Sequence, residues 1–302
     1  MKLSYLGLRR WLWIRSKFRV TQLVYALGGI GDELMLTAVA RAARQAGKPI
    51  TVLTHRPEIW HGNRDVAGLE TNSDWWFYAQ RRRWSKARVI HVACKAGIHR
   101  HLAQQMADHL GLTLAEGWRP VFHHQAPARV PTRLAVQNSC RGATWAATTK
   151  EWPQDRWTEL VRRLAPDFEL VQIGTESDPP LAPALDLRGK TTLKEAAAIL
   201  ASAACFVGLE SGLMHLAAAT QTRSVIIYGG RTRPHETGYP WNANLCRDPG
   251  CAGCGLNSGC SNDLKCLEIP VAEVETVVRL QAGTGLRSSG LTVGGGGIPT
   301  DP

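Results

Sequence analysis

The sequence predicts an α/β protein made of two doubly wound parallel sheets in succession. Three observations point to it. Short apolar runs alternate with stretches of helical periodicity through both halves of the chain, which is the pattern of βαβ units. A proline-rich, polar and unpatterned stretch, HHQAPARVPT at 123–132, interrupts that alternation and reads as a linker. With 302 residues, 44% hydrophobic and 20% charged, the chain has the composition of an ordinary globular protein and the length for two such domains.

The elements follow in order. TQLVYAL (21–27) is short, apolar and ended by glycines, so it reads as a buried strand. Residues 33–46 carry apolar positions at helical spacing, with Gly47 placed to end the helix. PITVLTH and ARVIHVAC are further strands, and RHLAQQMADHLGL is a helix stopping at Gly111. After the linker the pattern restarts with strand RLAVQNS, helix QDRWTELVRRLA, strand ELVQIGT, helix TLKEAAAILASA, strand CFVGLES, helix GLMHLAAATQ and strand SVIIYGG. The expected division is 1–20 as a basic aromatic segment, 21–128 and 129–270 as the two domains, 271–282 as a last helix, and 283–302 as a flexible tail.

A formal charge of +11 implies an anionic partner, whether nucleic acid, a phosphorylated substrate or a membrane surface, although solubility alone also explains net charge. No helix-turn-helix, RNP or zinc-finger signature is present, so nucleic acid is not expected. Arg9, Arg10, Arg15 and Lys17 break up the apolar N-terminus, which therefore does not read as a signal peptide. With Tyr5, Trp11, Trp13 and Phe18 it suits a helix in a lipid headgroup layer, or one packed on the first domain. The expected location is cytoplasmic, with peripheral attachment to the inner face of the cytoplasmic membrane as an option.

The turn GGIGDE (28–33) resembles a dinucleotide fingerprint but fails its tests. Counted from Gly29 and Gly31, the third glycine position holds Leu34, and the second strand ends in Thr54 and His55 with no acid for a ribose. Asp32, at the start of the following helix, is either a helix cap or a cleft-facing carboxylate.

Four stretches in order carry a more specific signal: GGIGDELMLTAVARA, then TTKEWPQDRWTEL from Thr148, GLESGLMHLAAA from Gly208 and IYGGRTRP from Ile227. Together they resemble glycosyltransferase family 9, the ADP-heptose:lipopolysaccharide heptosyltransferases, over about residues 21–280. That resemblance implies the GT-B fold, two Rossmann-like domains facing a cleft, with acceptor on the first and nucleotide-sugar on the second. It implies an inverting transfer from ADP-heptose to a bacterial lipopolysaccharide or related envelope glycolipid, with no metal in the chemistry. Asp32 is then the general base, and Gly29 and Gly31 the cleft glycines. Lys150, with Thr148 and Thr149, is placed at the donor phosphates. Glu210, Ser211, Gly212 and His215 form the phosphate-binding loop and helix start, Glu210 standing where the family usually has Asp. Glu176 is placed at the nucleotide ribose. The segment 21–122 is shorter than the family's acceptor domain, so a shortened N-terminal domain is expected.

Cys246, Cys251, Cys254, Cys260 and Cys266 crowd one Gly- and Asn-rich loop at 246–266. A structural zinc or iron on Cys251, Cys254, Cys260 and Cys266 and a set of reduced free thiols are both open readings. Cys94, Cys140 and Cys205 read as ordinary buried residues. Two rivals accompany the glycolipid reading: a protein O-heptosyltransferase of the autotransporter-modifying type, and a non-catalytic nucleotide-sugar-binding module.

Overall fold

The computed structural model describes residues 23–26, 28–71, 89–92, 97, 100–125, 127–144 and 146–283. The basic segment 1–20, Cys94 and the tail beyond Gly283 lie outside the described residues.

The first half contains β1 (Leu23–Tyr25), α1 (Ile30–Gln45), β2 (Thr51–Leu53), α2 (Pro57–Trp60), β3 (Gly68–Glu70), β4 (Val89–His91) and α3 (Leu102–Asp108). Its strands pair in parallel in the order β3-β2-β1-β4. The second half contains β5 (Val130–Val136), α4 (Gln154–Leu164), β6 (Glu169–Gln172), β7 (Leu185–Asp186), α5 (Leu193–Ser202), β8 (Ala203–Leu209), α6 (Gly212–Ala219), β9 (Ser224–Tyr228), α7 (Pro234–Thr237), β10 (Ala243–Cys246) and α8 (Val271–Ala282). These strands form a parallel sheet in the order β10-β9-β8-β5-β6-β7. The expected α/β architecture of two doubly wound sheets is the architecture observed.

Local chemistry explains the elements. In α4, Trp157, Leu160, Val161 and Leu164 are buried at the i, i+3, i+4, i+7 spacing of one helix face. In α5, Thr192 and Glu195 exchange the two bonds of a capping box, at 2.7 Å and 3.3 Å. Every residue of β8 is buried, as suits a central strand covered on both faces. Gly47, with φ +71°, takes the left-handed conformation that stops α1.

Two expectations are corrected, and three strands are added to those read from the sequence. Residues 130–132 belong to β5 rather than to a linker: Pro131 is tolerated because the pairing with β8 shifts register between Val130 and Leu134. The strands β3, β7 and β10 carried no apolar run, since each is a short edge strand only partly buried. Cys246 closes β10, so the cysteine loop begins after it. The last helix, α8, packs against α4 and the strands of its own half, burying Val274 and Val278.

The halves meet chiefly through α1 and α6. One apolar cluster runs from Val24, Leu36 and Val39 through Phe206, Met214 and Tyr239. The helix starts approach closely because both carry glycine there. A Cβ on Gly31 would stand 2.6 Å from Cδ2 of His215, and one on Gly212 would stand 3.3 Å from Cβ of Ile30.

Candidate functional site

A cavity of about 660 Å³ opens where the two halves meet. It lies beyond the carboxyl ends of β1, β4, β5, β6, β8 and β9, the position where doubly wound folds bind ligands. Of the residues singled out from the sequence, Gly29, Gly31, Asp32, Lys150, Glu210, Ser211, Gly212 and His215 line it.

Asp32 satisfies both readings of it. Its Oδ2 accepts the N–H of Gly29 at 2.8 Å, tying down the first turn of α1, and its side chain also borders the cavity. Burial raises its pKa above the ordinary aspartate value, the Gly29 N–H lowers it, Glu210 raises it and Lys150 lowers it. A carboxylate lifted in this way is a stronger base once ionised. Gly28, not Gly29, is the sterically obliged glycine here. A Cβ on Gly28 would overlap the Asp32 carboxylate, whereas one on Gly29 would reach Thr144 only at 3.9 Å.

Lys150 is bound more tightly than expected. Its Nζ forms an ion pair with Glu210 Oε2, both side chains being 9% exposed, and donates to the Glu210 carbonyl at 3.4 Å. The longer glutamate reaches the lysine from the end of β8. Thr148 and Thr149 are not among the residues that line the cavity. Their hydroxyls donate to backbone carbonyls of the cysteine loop, Thr148 to Asn257 at 3.2 Å and Thr149 to Leu256 at 2.5 Å. The single proton of each hydroxyl is thereby committed.

The Ser211 hydroxyl donates to Gln137 at 2.5 Å, so no side chain caps α6. Ser211, Gly212 and Leu213 border the cavity, so the N–H end of that helix, a terminus of the kind that suits an anion, lies on its wall. His215, on the first turn, is buried, with Nδ1 2.7 Å from the Tyr239 hydroxyl. Burial pushes its pKa down to about 3, with His101 and Lys150 adding to the effect. It therefore offers a neutral ring and not the positive charge that a phosphate ligand would otherwise bring.

Glu176 is exposed and outside the cavity. The same turn instead brings in Gly174, Thr175 and Asp178. Asp178 shapes the turn by accepting the Thr175 N–H at 2.9 Å and hydroxyl at 3.0 Å. Two cavity arginines escaped sequence reasoning. Arg56 is held by the buried Glu33 at 3.1 Å, and Arg231 by Asn257 at 2.7 Å. Glu33 lies beside Asp32 in the motif, but nothing in its spacing announces a partner 23 residues away.

Three sulfurs of the cysteine loop accept N–H groups: Cys266 from Gly230 at 3.0 Å, Cys260 from Asn262 at 3.4 Å, and Cys251 from the Asn262 side chain at 3.5 Å. Among the described residues no three His, Cys, Asp or Glu side chains stand together as a metal ligand set. Cys140 and Cys205 are buried, as the sequence suggested. Trp152 and Trp157 pack edge to face with ring centres 5.1 Å apart.

Comparison with known proteins places this arrangement. Lipopolysaccharide heptosyltransferase 1 of Escherichia coli O18:K1:H7 (strain RS218 / NMEC) is 30% identical over 110 residues, covering 33% of this chain and 34% of that protein. The match thus spans about a third of the length of such curated relatives. The crystal structure of the bacterial iron-containing dodecameric glycosyltransferase TibC from enterotoxigenic E. coli H10407 superposes with a TM-score of 0.69 at 20% identity, over 87% of this chain and 77% of that one. The E. coli ADP-heptose LPS heptosyltransferase II gives 0.63 at 16% identity, over 87% and 98%. These likenesses give the fold, the GT-B arrangement of two Rossmann-like halves. The sequence pattern of glycosyltransferase family 9 (heptosyltransferase) matches residues 67–255, and the chain belongs to that family.

Proposed function

We propose that the chain is an inverting glycosyltransferase that moves a heptose-like sugar from ADP-heptose to a lipopolysaccharide or related envelope glycolipid. The observation that carries this reading is that Asp32, on α1, and the uncapped start of α6 border one cavity. A base for an acceptor hydroxyl thus shares the site with an anion-binding end for a diphosphate.

In the proposed reaction the Asp32 carboxylate takes the proton of the acceptor hydroxyl. The hydroxyl oxygen attacks the anomeric carbon, and the bond from that carbon to the diphosphate oxygen breaks. The leaving diphosphate keeps the electron pair. The N–H groups at the start of α6 stabilise its charge, and Lys150, already paired with Glu210, adds only a hydrogen-bond donor beside it. A single displacement on the face opposite the leaving group inverts the anomeric centre.

In this reading the acceptor is held by the first half and the nucleotide-sugar by the second, and the chemistry needs no metal. A structural zinc or iron at the cysteine loop is a separate expectation, addressed by elemental analysis. No helix among the described residues is long and apolar enough to cross a membrane. A cytoplasmic enzyme meeting its glycolipid at the membrane surface through residues 1–20 fits the proposal.

A protein hydroxyl as acceptor is the second reading. It is favoured by the cysteine loop and by the short first half expected from the sequence. A non-catalytic binding module fits less well, because Asp32 borders the cavity with a raised pKa. The test is a thermal-shift screen of nucleotide-sugars followed by transfer assays on glycolipid and protein acceptors. ADP-heptose should raise the melting temperature most and support transfer. Stabilisation by another nucleotide-sugar alone would reject the donor assignment.

A further inference from the structure

We infer that Arg231 is a ligand of the donor diphosphate and that Asn257, in the cysteine loop, is the residue that positions it. This rests on the donor reading above. Arg231 follows β9 and borders the cavity. Its Nε donates to Asn257 Oδ1 at 2.7 Å, which fixes the plane of the guanidinium. Among the described residues its two terminal nitrogens meet no acceptor. They present a planar pair of donors, the arrangement that suits bidentate contact with phosphate oxygens. Lys150, by contrast, already faces the Glu210 carboxylate and brings little uncompensated charge.

The surrounding backbone is built to hold Arg231 in place. The Gly230 carbonyl accepts the N–H groups of Gly253 and Cys254 at 2.7 Å and 3.0 Å, and the Arg231 carbonyl accepts that of Gly255 at 2.9 Å. The Asn257 carbonyl accepts the Thr148 N–H at 2.8 Å, two residues before Lys150. Asn257 therefore ties the Lys150 turn to Arg231 across one residue. The cysteine loop acts on donor affinity through this contact and takes no part in the chemistry.

The test is calorimetry of the full chain with ADP, adenosine and inorganic pyrophosphate. Arg231→Ala should weaken ADP and pyrophosphate by about tenfold or more, the scale of a charge-assisted contact, and leave adenosine within about twofold. Asn257→Ala should weaken ADP by a smaller factor. In a double-mutant cycle that loss should vanish once Arg231 is already alanine. A loop role that is merely structural would instead give additive losses and would weaken adenosine as well. Unchanged ADP affinity in Arg231→Ala, or additivity in the cycle, overturns the inference while the donor reading stands. If the unmodified chain binds neither ADP nor pyrophosphate, the donor reading fails and Arg231 has no diphosphate to hold.

Discussion

Lys150 and Glu210 form a buried ion pair on the cavity wall, with Asp32 electrostatically coupled to both. The pair holds the charge balance under which Asp32 ionises. Removing the lysine strands the glutamate.

Lys150→Ala should therefore do more than weaken phosphate binding. An unpartnered buried Glu210 is expected to cost about 3–5 kcal/mol of stability. It should also push the Asp32 pKa further up, because the favourable charge is lost and the repulsive one remains. Chemical denaturation and the acidic limb of the pH–rate profile report the two effects. An unmoved acidic limb would mean that Asp32 does not sense the pair.

Gly31→Ala should loosen the junction of the halves, since the new methyl group meets the His215 ring at 2.6 Å. Overpacking of this kind costs about 1–3 kcal/mol. Gly29→Ala, with only an ordinary 3.9 Å contact to Thr144, should fall within about 0.5 kcal/mol of the parent. Melting curves of the two variants side by side give the comparison, and equal losses would remove the steric argument for Gly31.

Acid should destabilise the protein through its buried histidines. His215 is held to about 3 and His101 to about 4, both mainly by burial and both below the ordinary 6.5. The unfolded chain takes up these protons first as pH falls, so the stability is complete above 6.5 and lost below it. The slope is up to about 1.4 kcal/mol per pH unit for each histidine. Asp32, whose pKa is raised, opposes this trend at more acidic pH by gaining its proton more readily in the fold. Urea midpoints at about pH 7.5 and about pH 5.5 should differ accordingly. Identical midpoints would contradict two neutral buried rings.

The cysteine loop gives a direct reading of its own. Protein purified without added metal should carry close to one zinc or iron per chain if the thiols gather around an ion. Less than about 0.2 equivalents, with activity indifferent to chelation, would leave reduced thiols and the hydrogen-bonded loop geometry described above.

Much of the fold was legible because its central strands and amphipathic helices are written in apolar spacing, as in β8 and α4. Edge strands such as β7, two residues long and half exposed, leave no such trace. The site was legible where a motif fixes a backbone feature, as with Asp32 on the first turn of α1 or Gly212 at the start of α6. It was less legible where a side chain had a choice of partner. Thr149 turns to Leu256, 107 residues away, and Glu176 turns outward while its neighbour Asp178 is buried. Arg231 and Asn257 lie 26 residues apart with no periodicity to link them, so only the folded loop reveals the contact.

The central claim is that Asp32 is the general base, and turnover of Asp32→Asn tests it most directly. The substitution hardly changes shape, keeps an oxygen to accept the Gly29 N–H, and removes the proton acceptor. With saturating donor and acceptor, kcat should fall by about 10²–10⁴ while ADP affinity stays within about threefold. Turnover within about tenfold of the parent would contradict the account and leave Asp32 as the residue that ties down the start of α1.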